Sequence, residues 1–232
     1  MKRICFLFLF FVNVVVYSSE VKTAEVPFKK TVWIDKKQSE MVEGTIYFTG
    51  EENLLIKVHK PLNQIVIINK FTNIFYYPDE NSGISIIYSR PVVSQTRMQF
   101  DLFSRDDLGL SEAGYKVEKS YKTNDILMSL WVPPDKYKKQ LGNVEIGLRK
   151  NRIVLNRMYS PDGKLLLIAE YDEFEKIGDV TFPKKIKTTT FQNKVVREEE
   201  IIYINPKINT KIPEEILNFK IPETAKIKEK KW

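Results

Sequence analysis

The stretch that decides the fold is Gly44–Tyr88, GTIYFTGEENLLIKVHKPLNQIVIINKFTNIFYYPDENSGISIIY. It divides into five apolar runs, each four to seven residues long and rich in Ile, Val, Phe or Tyr. Turn-forming residues interrupt it at Gly50–Asn53, Lys60–Asn63, Asn69–Asn73 and Pro78–Gly83. Short apolar runs at that spacing predict an antiparallel meander, because strands joined by short loops pair with their neighbours. In the first run Ile46 and Phe48 share one face, and Thr45, Tyr47 and Thr49 share the other. In Ile65–Ile68 and Ile74–Tyr77 both faces are apolar, and alternation does not choose between them.

Working outward, Phe28 to Asp35 and Met41 to Phe48 read as the first two strands, with Phe28, Lys30, Val32 and Ile34 on one side of the first. Beyond Tyr88 the period of two is lost. Ser94 is placed to cap a short helix carrying Met98, Leu102 and Phe103, and Leu108 and Leu110 read as part of the same cover over the sheet. Tyr115–Tyr121 and Ile126–Val132 read as a hairpin closed by Pro133-Pro134. A second meander follows. Val144, Ile146 and Leu148 form one face, and Ile153 and Leu155 are expected to continue it. Ser160-Pro161-Asp162-Gly163 is a strong turn signal before the returning strand from Leu165. Phe182–Phe191 and Lys194–Ile204 pair next, and the proline-punctuated tail allows one helical turn at Pro213–Leu217. The expected fold class is mainly β (α+β): about eleven strands in one large curved sheet, partly closed into a barrel, with little helix.

The first residues predict an address rather than fold. Lys2 and Arg3 precede an apolar run, Ile4–Val16, and Tyr17-Ser18-Ser19 offers small residues for cleavage. This pattern is that of a secretory signal peptide over residues 1–18, leaving a single domain over 19–232. The one cysteine, Cys5, lies inside the apolar run, so the expected mature chain forms no disulfide and depends on its hydrophobic core. The formal charge is +7, of which Lys2 and Arg3 supply two. That modest excess does not call for nucleic acid, and it allows only weak attraction to anionic headgroups.

Catalytic constellations are missing from the pattern. The single histidine, His59, precedes Lys60-Pro61 in the context of an exposed turn. There is no GxSxG elbow, no histidine–cysteine cluster of zinc spacing and no glycine-rich phosphate loop. Glu173 and Glu175 could share a side of a strand, but neighbouring Lys176 and the surrounding charges describe a solvated face. Asp101, Asp106 and Asp107 lack calcium-loop spacing. The reading is therefore of a protein that is not an enzyme, with no catalytic or metal residues and no cofactor.

Three stretches resemble the LolA-type outer-membrane lipoprotein carriers and lipoprotein-sorting proteins. They are GTIYFTGEENLLIKV from Gly44, PLNQIVIINKFTNIFYYP from Pro61, and the C-terminal series YSPDGKLLLIAEYDEF, DVTFPKKI and INPKINTKIPEEILNFKIPETAKI. In the last, Asn209, Ile212, Pro213, Phe219, Ile221 and Pro222 occupy the places of the family's Asn-x-x-Ile-Pro and Phe-x-Ile-Pro tail. Where the better-known carriers have Arg-Pro, this chain has Glu51-Glu52. The resemblance implies an unclosed antiparallel β-barrel, short helices as a lid, and a hydrophobic cavity for acyl chains in the periplasm. It implies lipid-modified proteins or lipids as partners, an inner-membrane donor and an outer-membrane acceptor, and a monomer. Lining residues expected on this basis are Ile46, Phe48, Leu54, Ile56, Ile84 and Ile86 from the first meander. Met128, Leu130, Ile146, Leu148, Ile153 and Leu155 are expected from the second half. The alternative reading on the same fold is an envelope lipid or lipoprotein sensor without transport.

Overall fold

The computed structural model describes residues 21–49, 54–69, 71–89, 107–192 and 195–231. The predicted signal peptide, the Glu51-Glu52 turn and the helical segment from Ser94 to Phe103 lie outside the described residues. Among the described residues fifteen strands form one sheet. The first six are β1 (Ala24–Ile34), β2 (Lys37–Phe48), β3 (Leu54–Lys60), β4 (Gln64–Ile68), β5 (Thr72–Tyr77) and β6 (Ser82–Ile87). After the buried turn carrying Leu108 and Leu110 come β7 (Lys116–Thr123), β8 (Ile126–Val132), β9 (Val144–Arg149) and β10 (Arg152–Tyr159). The long hairpin β11 (Leu165–Ile177) and β12 (Val180–Gln192) follows, then β13 (Val195–Tyr203) and the short β14 (Lys207–Ile208). One helical turn, α1 (Glu214–Leu217), precedes β15 (Lys226–Lys231).

Neighbours run β15-β6-β5-β4-β3-β2-β1-β13-β12-β11-β10-β9-β8-β7, and β14 pairs with β1. The order does not return on itself, so the barrel is unclosed among the described residues. The expectation of about eleven strands falls short of the fifteen observed. The tail strand β15, KIKEKK, has no apolar period to betray it, and it is held by pairing with β6. That pairing is parallel, so the sheet is mixed rather than wholly antiparallel. The two meanders meet where β1 pairs with β13, from Phe28↔Tyr203 to Ile34↔Arg197.

The sheet buries apolar side chains on both faces. The larger cluster spans both meanders and includes Val26, Phe28, Phe48, Leu54, Val66, Ile146, Tyr171, Phe182 and Tyr203. Phe182 and Tyr203 meet edge to face, with ring centroids 5.3 Å apart. Leu108 and Leu110, fully buried, join this cluster as the sequence predicts. Asp107 accepts hydrogen bonds from Gly109 N and Ser111 N, both at 3.0 Å, and so shapes their turn.

The smaller cluster lies on the other face of the first meander, where Leu55, Ile65 and Tyr76 pack under Ile212 and Ile216 of the tail. The tail is tied at both ends. The Asn209 side chain accepts from Lys22 N at 2.7 Å, and Thr23 Oγ1 donates to Thr210 O at 2.7 Å. Asn81 Nδ2 donates to Thr224 Oγ1 at 3.1 Å, and Lys226 N donates to Asn81 O. The tail motif is thus the second cover of the sheet. Replacing Ile212 by Ala should lower the unfolding free energy by about 2–5 kcal/mol, because it empties a closed site. Leu217→Ala, at a side chain 52% exposed, should cost less than about 0.5 kcal/mol. Urea denaturation of the two variants checks the contrast.

Candidate lipid-binding cavity

Cross-strand register sets the first meander's inner face in rows. Val26, Ile46, Ile56, Val66, Phe75 and Ile84 stand opposite one another in sequence across six strands. The next row is Ala24, Phe48, Leu54, Ile68, Asn73 and Ile86. The six residues expected from Gly44–Tyr88 therefore lie in two adjacent rows on one face. The undecided strands are also settled. Val66, Ile68 and Phe75 point inward, while Ile65 and Tyr76 pack outward under the tail.

These rows bound a cavity of about 480 Å³. Ile46, Ile56, Val66, Ile68 and Phe75 supply its apolar walls, with Val42, Val58, Phe28 and Ile201 beside them. Gly44 allows one close approach: a Cβ there would lie 3.0 Å from the Phe28 ring and 2.5 Å from the Lys57 carbonyl oxygen. Phe48 and Leu54 are buried in the adjoining core, and Ile84 and Ile86 are half-buried at the far end of the rows. Polarity rises in the other direction along the strands, through Gln64 to Lys30, Glu40 and Glu199, beside Pro61 and the exposed Leu62. Sequence reasoning did not select these charged residues. Their signal was Lys30 on the same side as Phe28 and Val32, a cation within an inward-facing series.

The second half divides. Ile146, Leu148 and Ile153 lie on the larger core's face. Met128, Leu130 and Leu155, expected with them, stand on the opposite face. Met128 pairs with Gly147 and Leu130 with Glu145, one position out of phase with Ile146. A β-bulge at Val154 places Leu155 opposite Gly147, reversing the face it would share with Ile153. Gly147 leaves the room that Met128 fills, since a Cβ there would lie 2.9 Å from the Met128 sulfur.

On that outer face Glu145 is the buried carboxylate of a polar cluster. It accepts from Tyr121 Oη at 2.6 Å, Tyr159 Oη at 2.7 Å and Arg157 Nη1 at 3.3 Å. Burial by itself would raise the Glu145 pKa, but the hydrogen bonds from Tyr121, Tyr159 and Arg157 outweigh it and hold the carboxyl below its ordinary value. The bond to Glu145 pushes the Tyr121 phenol up to about 12. Elsewhere, Glu175 pairs with Lys184 at 3.3 Å and Glu173 with Lys185 at 3.9 Å, the solvated arrangement predicted for them. His59 is exposed, 3.8 Å from Glu43, which also pairs with Lys29 and Lys60. No group of three or more metal-ligating side chains occurs among the described residues.

Three solved structures share this architecture. A LolA superfamily protein from Nitrosomonas europaea is 16% identical, covering 85% of this chain and 90% of that one, with a TM-score of 0.60. The fold is LolA-like. A domain from Vibrio parahaemolyticus described as an outer membrane lipoprotein-sorting protein gives 13% identity, 84% and 89% coverage and a TM-score of 0.59. A DUF1329 family protein from Desulfovibrio piger gives 12% identity, 87% and 91% coverage and a TM-score of 0.62. No family model matches the sequence, and no curated protein matches it. At these identities the likeness carries the fold, and the function has to be argued from the LolA-like sheet's own side chains.

The Glu145 cluster has a pH signature. A carboxyl held low in the folded state adds stability above its unfolded pKa and loses it as pH falls through the folded value. Glu145→Gln should therefore be less stable than wild type by about 1–3 kcal/mol at neutral pH. The gap should close as the medium is acidified below the ordinary carboxylate range. Urea unfolding from neutral to acidic pH measures it, and a gap independent of pH would contradict the assignment.

Proposed function

We propose that the chain is an exported periplasmic carrier, a chaperone that shelters acyl chains of lipid-modified proteins or lipids and delivers them toward the outer membrane. The observation that carries this reading is the cavity of about 480 Å³ whose walls are the inward rows Ile46–Ile56–Val66–Phe75 and their neighbours. Each methylene moved from water into such walls contributes about 0.8 kcal/mol, which is what an acyl chain requires to cross an aqueous space. An unclosed sheet suits the task, since a chain can enter and leave at a mouth without breaking a closed ladder. Among the described residues no helix is long and apolar enough to cross a membrane. The predicted signal peptide supplies the route out of the cytoplasm, and the inner-membrane donor and outer-membrane acceptor remain parts of the same proposal.

Mass spectrometry of lipid extracted from the purified exported protein, together with titration by a fluorescent fatty acid, tests the reading. Copurifying lipid or lipoprotein and saturable uptake are expected. Val66→Trp, which fills the cavity from its wall, should weaken uptake about 10-fold, the equivalent of displacing roughly two methylenes. Recovery of nothing apolar, with no uptake by the wild type, overturns the proposal. Unchanged uptake in a normally folded Val66→Trp variant removes the cavity from it.

A further inference from the structure

The mouth of the cavity carries charges in a fixed order. Lys30 stands opposite Val42 on β2 and Ile201 on β13. Two residues farther out, Val32 stands between Glu40 and Glu199 on the same two strands. Lys30, Glu40 and Glu199 all line the cavity, and Lys30 is the one cation that does so among the described residues. Two residues along a strand are about 7 Å. Moving outward, an occupant therefore meets apolar wall, then an ammonium, then two carboxylates.

The partners of these groups differ. Lys30 is half-buried and makes no ion pair among the described residues. Glu199 is held by Arg197, whose Nε and Nη2 both lie 2.7 Å from its Oε1. Glu40, like Lys30, makes no ion pair among the described residues. A half-buried ammonium without a carboxylate partner favours an incoming anion, because a charge-assisted hydrogen bond recovers part of its desolvation cost.

We propose that the cavity mouth recognises a zwitterionic phospholipid headgroup, with its phosphate at Lys30 and its outer ammonium at Glu40, the carboxylate that Arg197 does not hold. The order of the charges carries the assignment. In a phosphatidylethanolamine the acyl chains come first, the phosphate next and the ammonium last, the same sequence that the strands present from the apolar rows to the mouth. A net anionic headgroup would satisfy Lys30 but place its remaining hydroxyl groups beside the carboxylates. An uncharged acylglyceryl group would leave Lys30 unpaired. This inference rests on the carrier reading and specifies the cargo of the same cavity.

The test is displacement of a dansyl-labelled fatty acid from the exported protein by phosphatidylethanolamine, phosphatidylglycerol and diacylglycerol of one chain length. Phosphatidylethanolamine should displace the probe at about 10-fold lower concentration than diacylglycerol, the scale of one charge-assisted hydrogen bond, with phosphatidylglycerol between them. Lys30→Met keeps the apolar stem. It should remove the phospholipid advantage while leaving diacylglycerol unchanged, and Lys30→Arg should retain that advantage. Glu40→Gln should narrow the gap between phosphatidylethanolamine and phosphatidylglycerol. Equal displacement by all three lipids, or an equal shift for all three in Lys30→Met, overturns the headgroup assignment and leaves the carrier reading standing. Failure of the wild type to bind the labelled fatty acid overturns both.

Discussion

The structure depends on the pairing of β1 with β13. The chain builds two meanders, and β6 and β7, their neighbouring strands in sequence, do not pair with each other. Seven consecutive pairs, from Phe28↔Tyr203 to Ile34↔Arg197, turn them into one sheet. Tyr203, the β13 partner of Phe28, also meets Phe182 of β12 edge to face beside the junction. Beyond it, the short β1–β14 pairing adjoins the Asn209 tie between Lys22 and the tail. Without that long-range ladder each meander would expose an apolar face, and the single core that both share would not exist.

From this junction follows the placing of the candidate site. The cavity is walled by β1 to β5 on one side and by Glu199 and Ile201 of β13 on the other, so it exists only where the two halves meet. The tail acts on the opposite face. By covering Leu55, Ile65 and Tyr76, it leaves the inner face as the one where an apolar ligand can be held. The first meander is thus covered on its outer face by the C-terminal segment, while its inner face leads, among the described residues, to a charged mouth.

Much of this was legible in the residues, and the misses have physical causes. The placing of Ile46 and Phe48 on one face followed from period-two alternation, because Thr45 and Tyr47 mark the other side plainly. Ile65–Ile68 gave no such mark, being covered on both faces. Leu155 was placed with Ile153, but one bulged residue at Val154 inverts every side chain after it. In β8 both faces are apolar, so Met128 and Leu130 could be assigned only by their register against Gly147 and Glu145. The strand β15 escaped notice because an edge strand of lysines buries little and is specified by its neighbour.

The sequence by itself determined the mainly β class, the meanders, the turn positions and the resemblance to lipoprotein carriers, since these rest on local period and turn chemistry. Tertiary structure alone decided which strands meet, which face of each two-sided strand is inner, and that Lys30, Glu40 and Glu199 share a mouth. The reason is separation along the chain. Lys30 and Ile201 are brought opposite by backbone hydrogen bonds between strands far apart in sequence, and no local pattern encodes that choice. Gly44–Tyr88 specifies one wall of the cup, and only its docking through β1 onto β13 makes that wall the side of a cavity.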